Sequence, residues 1–137
     1  MLVPALVVVL LVLGAIAVDS AGSWLGHRRL VDFAASAADT AANQALDRSA
    51  FYGAAGTLRI DPAAAQAVVD RLRAAQNGGG LEITTAVATV SPDGRSVTVS
   101  ATGVVHHIFA GSVGGHSRSM VRAEASAVLE EVQVTGG

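Results

Sequence analysis

The sequence predicts an α+β fold: a long N-terminal membrane-spanning helix that continues into a small domain with a second helix and a roughly three-stranded antiparallel sheet. Three observations predict it. An uncharged aliphatic run occupies the front of the chain, and an alanine-rich run without Gly or Pro follows it. The second half then changes to a two-residue alternation broken by turn residues. The 137 residues allow one compact domain and little more. The expected divisions are 1–26 for the transmembrane segment, 27–50 for the helix beyond it, and 51–137 for the α+β domain.

From Leu2 to Val18 no residue is charged and nearly all are aliphatic. This run accounts for much of the mean hydropathy of +0.50, high for a soluble domain. At about 1.5 Å per residue it spans roughly 26 Å, and the continuation to Gly26 reaches roughly 38 Å, against a hydrocarbon core of about 30 Å. Pro4 sits in the first turn, where its missing N–H costs nothing, and Trp24 stands where an interfacial aromatic anchor belongs. A cleaved secretory signal is the rival reading. Ala15-Ile16-Ala17 has the small-x-small pattern of a cleavage site, but no basic segment precedes the apolar run. A buried core helix is the third reading, and 137 residues offer little for so long an aliphatic face to hide against. Arg28 and Arg29 follow the span, so charge alone would place the C-terminal domain in the cytoplasm.

No Gly or Pro occurs from His27 to Phe51, so the helix is expected to continue, to Ala50 at the furthest, for a total near 70 Å at about 1.5 Å per residue. Arg28 or Arg29, Asp32, Ser36, Asp39, Asn43 and Asp47 make a polar stripe; Leu30, Phe33, Ala34, Ala37, Ala41 and Ala45 make the opposing face. Arg28 and Asp32 are spaced to pair across one turn. Small residues let a partner backbone approach closely. Ala17-x-x-x-Ala21 and Gly22-x-x-x-Gly26 offer such approach at the membrane, although the 27 alanines of the chain make such spacings easy to reach by composition alone.

Phe51-Tyr52-Gly53-Ala54-Ala55-Gly56 breaks the pattern. The second helix has Asp61 as its cap and Pro62 at its first position. Ala65, Val68, Val69, Leu72 and Ala75 form its apolar face, and Asn77-Gly78-Gly79-Gly80 ends it. In the first strand Leu81, Ile83, Thr85, Val87 and Thr89 are expected on one face, with Glu82, Thr84, Ala86 and Ala88 on the other. The turn Ser91-Pro92-Asp93-Gly94-Arg95 leads to Val97, Val99, Ala101, Gly103 and Val105, completing a hairpin. Residues 108–119 read as a loop. Val121, Ala123, Ala125, Ala127 and Leu129 then give a third strand, whose pattern Val132 and Val134 extend.

Composition excludes several function classes. Net charge is -2 and the nine basic residues, all Arg, face eleven acidic ones, so no nucleic-acid partner is expected. The absence of cysteine excludes a disulfide scaffold, a thiol enzyme and a Cys-based zinc site. His106, His107 and His116 are the candidates for a His-only metal site, but neighbours on a strand point to opposite faces and no carboxylate lies near them in sequence. There is no Gly-x-Ser-x-Gly elbow, and Gly78-Gly79-Gly80 follows a helix and precedes a strand, the reverse of a phosphate loop. No catalytic residue, cofactor or metal is expected.

Asp19 needs a chemical explanation. A charge at the bilayer centre costs about 2.5–3.5 kcal/mol on insertion scales and less at the interface. A boundary residue is the plain reading; otherwise Asp19 reaches headgroups, takes up a proton or meets a cation.

The run ending Ala17-Val18-Asp19-Ser20, followed by Arg28-Arg29-Leu30-Val31-Asp32-Phe33-Ala34-Ala35-Ser36-Ala37-Ala38, resembles the TadE/TadG-like minor pilins of Tad (Flp) type IV pilus systems. The later strand, Asp-Gly turn, strand, glycine loop and alanine-rich strand is similar to the extracytoplasmic part of the TadG branch. Two positions depart from the family. Ser36 stands where an acidic residue is usual, and no Glu precedes Glu82, whereas prepilin-peptidase substrates carry Gly followed by Glu. The resemblance implies a pilin-like structural subunit whose C-terminal domain lies outside the cytoplasm, against the charge count. It also implies self-association in a filament or with other pilin subunits, and contact with the Tad secretion machinery. Ala17, Asp19, Ala21, Gly22, Gly26, Arg28 and Arg29 are the expected packing and assembly residues, with a neighbour's N-terminal amine or Arg28/Arg29 as the cation for Asp19. The alternative is a single-span anchored extracytoplasmic binding module that forms no filament.

Overall fold

A computed structural model describes residues 2–48, 52, 58–76, 80–112, 114 and 117–129. Helix α1 runs unbroken over Leu2–Gln44, 43 residues, or about 65 Å at the usual rise. It is followed by two-residue strands β1 (Leu46–Asp47) and β2 (Arg59–Ile60), helix α2 (Pro62–Ala75), and strands β3 (Leu81–Val90), β4 (Ser96–His106) and β5 (Arg118–Val128), with a 3-10 turn at Ala110–Ser112. The expected α+β architecture is therefore present: a long apolar N-terminal helix, a second helix and a three-stranded antiparallel sheet in the order β3-β4-β5.

Both helices lie on one face of the sheet, α1 across β4 and β5 and α2 against β3 and α1. The alanine face expected of α1 is the floor of the core: Leu30, Phe33, Ala34, Ala37, Ala38, Ala41, Ala42 and Ala45 are all buried. Their small size lets the helix backbone lie close to Val97, Val99 and Ala101 at the centre of β4, each fully buried. Gly103 makes room at the β3–β4 pairing instead. A Cβ there would lie 2.9 Å from Leu81 Cδ1 and 3.1 Å from the Glu82 carbonyl oxygen. Helix α2 begins as the sequence signals: Asp61 Oδ1 accepts from the Ala63 N–H at 2.9 Å and Pro62 takes the first position.

Three details correct the sequence reading. First, α1 ends at Gln44 rather than near Ala50. Leu46 and Asp47 pair instead with Ile60 and Arg59, and the Asp61 N–H donates to the Ala45 carbonyl at 2.7 Å, so tertiary partners claim backbone groups that a longer helix would need. The neighbouring residues 49–51 and 53–57 lie outside the described residues. Second, β3 does not keep one alternation. Leu81 and Ile83 face inward, but the register slips between Ile83 and Thr85, so Thr84 and Thr85 together oppose Thr102 and the Thr84 hydroxyl donates to the Thr102 carbonyl. Beyond this bulge Ala86, Ala88 and Val90 turn to the core, while Val87 is 53% exposed. Third, β5 begins at Arg118, so the end of the expected loop is strand. The strand keeps its expected parity, with Ala123 and Ala127 buried and Val121, Ala125 and Leu129 packed around them. Val132 and Val134 lie outside the described residues.

The bulge suits α2. Gln66 projects from the helix and acts on the β3 edge as a strand would: its amide donates to the Ala86 carbonyl at 3.1 Å and accepts from the Ala88 N–H at 2.8 Å. Two turns further on, Arg73 donates to the Thr84 carbonyl at 3.0 Å, at the bulge itself. At the β3–β4 turn Gly94 has a φ of 71°, which glycine adopts without a side-chain penalty. Its carbonyl accepts from Ile60 N–H at 2.8 Å, tying the turn to β2.

Candidate functional site

The N-terminal part of α1 is apolar and uncovered. Its side chains from Val3 to Val18 are largely exposed, and the helix is long and apolar enough to cross a membrane. Intramolecular contact begins where this segment ends. Helix turns of 3.6 residues place Asp19, Ser23, Gly26 and Leu30 on one side of α1, toward the sheet. Ala17, Ala21, Trp24 and Arg28 lie on the side away from it, and all four are exposed.

The seven expected assembly residues are thus divided. Ala17 and Ala21 are open. Gly22 is open as well, with no atom within 4 Å of where a Cβ would stand. Gly26 is buried, and a Cβ on it would run into the Val105 side chain. The close approach that its size permits is therefore made within the chain, to β4, and not left for a neighbour. Arg28 does not reach forward to Asp32. Its guanidinium carbon lies 5.6 Å from the centre of the Trp24 ring on the preceding turn, a cation–π contact. Arg29 is exposed on the same segment.

Asp19 has partners of a kind its sequence position does not suggest. Its Oδ1 accepts from the backbone N–H groups of Ile108 and Phe109, each at 3.2 Å, across 89 and 90 positions of sequence. The carboxylate pins the β4–β5 loop to the helix, and two loop N–H groups that no strand serves find an acceptor. Below this latch, between α1 and the loop, a groove of about 540 Å³ is lined chiefly by Leu11, Val12, Ile16, Phe109 and Ala110, with Asp19 at its upper end.

The histidines separate as strand geometry requires. His106 Nε2 lies 3.7 Å from Glu82 Oε2, so the fold supplies a carboxylate that sequence distance had seemed to deny it. His107 Nε2 is 2.7 Å from the Ser119 hydroxyl, on the other side of the ribbon. His116 lies outside the described residues. Among the described residues no group of three or more His, Asp or Glu side chains is placed to hold a metal ion. The hydroxyl-rich outer face of the sheet is held by cross-strand bonds, Thr98 to Ser126 at 2.7 Å and Ser100 to Glu124 at 3.0 Å.

No family model, curated protein or solved structure matches the chain.

Proposed function

We propose that this chain is a membrane-inserted structural subunit of pilin-like design, as its resemblance to the TadE/TadG-like proteins implies, with the C-terminal domain outside the cytoplasm. One observation carries the reading. A single helix serves as the floor of the domain core over its C-terminal half and leaves its aliphatic N-terminal half largely exposed. In lipid that half needs no protein partner. In an assembly it buries against neighbouring copies, with the domains as an outer layer. Such head-to-tail contacts do not close and so propagate as a helix. The face left free for neighbours is Ala17 and Ala21, opposite the domain, where small side chains permit close crossing. Partners are the membrane, further copies or other pilin subunits, and the Tad secretion machinery.

Electron microscopy of sheared surface material from producing cells tests this reading. Filaments that bind antibody to the C-terminal domain are expected, and they should be lost in an Ala17→Leu/Ala21→Leu variant whose domain still folds. A protein that stays monomeric in detergent and after its removal returns the solitary anchored binding module. The specific observation favouring that second reading is the uncovered outer face of the sheet, where Val87, Met120 and Val128 are exposed.

A further inference from the structure

We propose that the β4–β5 loop at Ile108–Ala110 is a second membrane-inserting element, and that a phospholipid acyl chain fills the groove between this loop and α1. The inference rests on the reading of α1 as a membrane anchor and adds a lipid contact made by the domain.

Height along the helix is the first reason. Asp19 grips the loop at the end of the uncharged run, and from there Phe109 and Ala110 share a groove with Leu11, Val12 and Ile16. Leu11 lies eight residues below Asp19, about 12 Å along the axis at 1.5 Å per residue. A helix that crosses a bilayer through Leu2–Val18 therefore carries the loop into the acyl region beside it. The second reason is chemical. No Asp, Glu, Lys or Arg occurs between Arg95 and Arg118, so the loop itself is free of formal charge apart from histidine, and the nearest charges at this end, Glu82 and Arg118, stand where the strands begin. The opposite end carries Asp47, Arg59, Asp61, Asp93 and Arg95. Ile108 is 76% exposed and Phe109 42% exposed. In water these are apolar side chains held out to solvent; at an acyl boundary they are buried on the favourable side.

The Asp19 latch fits the same setting. An unpaired carboxylate and unpaired loop N–H groups are each costly to take out of water, and here they satisfy one another. Trp24 and Arg28 lie above the latch, with Trp24 63% exposed, at the height where interfacial aromatic and cationic side chains sit. The groove continues the apolar surface of the helix, so an acyl chain lying along α1 enters it without leaving hydrocarbon.

The test uses the full chain in phosphatidylcholine vesicles at low protein density, with Trp24→Phe as background because Trp24 is the single tryptophan. Phe109→Trp and, independently, Ile108→Trp report the loop; Leu10→Trp reports the span; Val128→Trp reports the far end of the sheet. Lipids brominated near the headgroup end or near the methyl end of their chains serve as quenchers. The expected result is a blue shift and loss of emission for both loop variants, stronger with bromine near the headgroup end, and no loss for Val128→Trp. Quenching of Leu10→Trp with loop variants behaving like Val128→Trp overturns the loop insertion while the anchor stands. Loop emission that shifts only at high protein density, without bromine quenching, identifies a second copy as the occupant and also overturns it. No quenching at any position, Leu10→Trp included, removes the anchor reading and the inference with it.

Discussion

The backbone of Gly26 lies so close to Val105 that a Cβ on it would run into the valine side chain, where α1 crosses the central strand. This contact is where α1 passes from a bare helix to a packed one. Gly26→Ala is expected to destabilise the fold by about 1–3 kcal/mol, as overpacking does. Val105→Ala should recover part of that loss in the double variant, because it removes the atoms a new Cβ would meet. Chemical unfolding of the detergent-solubilised chain and a double-mutant cycle measure both effects. Additive losses would mean that the two positions do not share the contact.

Two valines of similar sequence setting have opposite fates, Val99 by the regular alternation of β4 and Val87 by the β3 bulge. Val99 is 0% exposed at the centre of β4, and Val99→Asp should cost at least about 2 kcal/mol through lost burial and an unpaired charge. Val87 falls on the solvent side, so Val87→Asp should change stability by no more than about 0.5 kcal/mol. Thermal unfolding of the two variants checks the register directly.

The distant partner of Asp19 is testable residue by residue. Asp19→Ala should cost about 1–2 kcal/mol at this partly buried site. Its specific signature is faster hydrogen exchange at the Ile108 and Phe109 amides, with the central β4 amides unchanged. Asp19→Asn retains an acceptor oxygen without the charge and should give intermediate protection.

At the β3–β4 turn, the Ser91 hydroxyl and then the Arg95 N–H donate to Asp93 and hold its carboxyl below the usual carboxylate range. A folded-state pKa below the unfolded value stabilises the native state above the unfolded pKa, and that contribution is lost as pH falls through the folded value. At neutral pH the parent chain should therefore unfold at a higher temperature than Asp93→Asn. The gap should narrow as pH falls below the ordinary carboxylate range, as parallel melts across pH will show.

The sequence made local features legible wherever a residue type has one physical use. Asp61-Pro62 opens a helix, Pro92-Asp93-Gly94 turns a hairpin, and the alternation of β4 admits one inward face because valines face serines and threonines. In β3 the pattern was degenerate: Ala86 and Ala88 suit either face, so a one-residue slip left no mark on the alternation. The end of α1 was hidden for a related reason. Alanine favours continuing the helix, and what stops it is the pairing of Leu46–Asp47 with Arg59–Ile60, a dozen residues away. The small-residue pairs of the assembly set rest on spacing, which is blind to direction. Ala17–Ala21 and Gly22–Gly26 have the same four-residue step, yet one pair faces outward and the other ends against β4. No local signal tied Asp19 to Ile108, because that bond exists only once the sheet is laid on the helix.

Gln66 has a consequence for how copies of this protein can meet. An exposed strand edge is a template for strands of other chains, and a sheet open on both sides can add them without limit. Here the β3 side is occupied by a side-chain amide that fills the donor and acceptor positions a visiting strand would take, with Arg73 on the next carbonyl. The other edge of the sheet is β5. Two copies joined there would present a Gln66-sealed border at each end, so edge-to-edge recruitment stops at a pair. That termination works against open-ended edge-to-edge stacking of the native domain and leaves helix contacts as the route to a longer polymer.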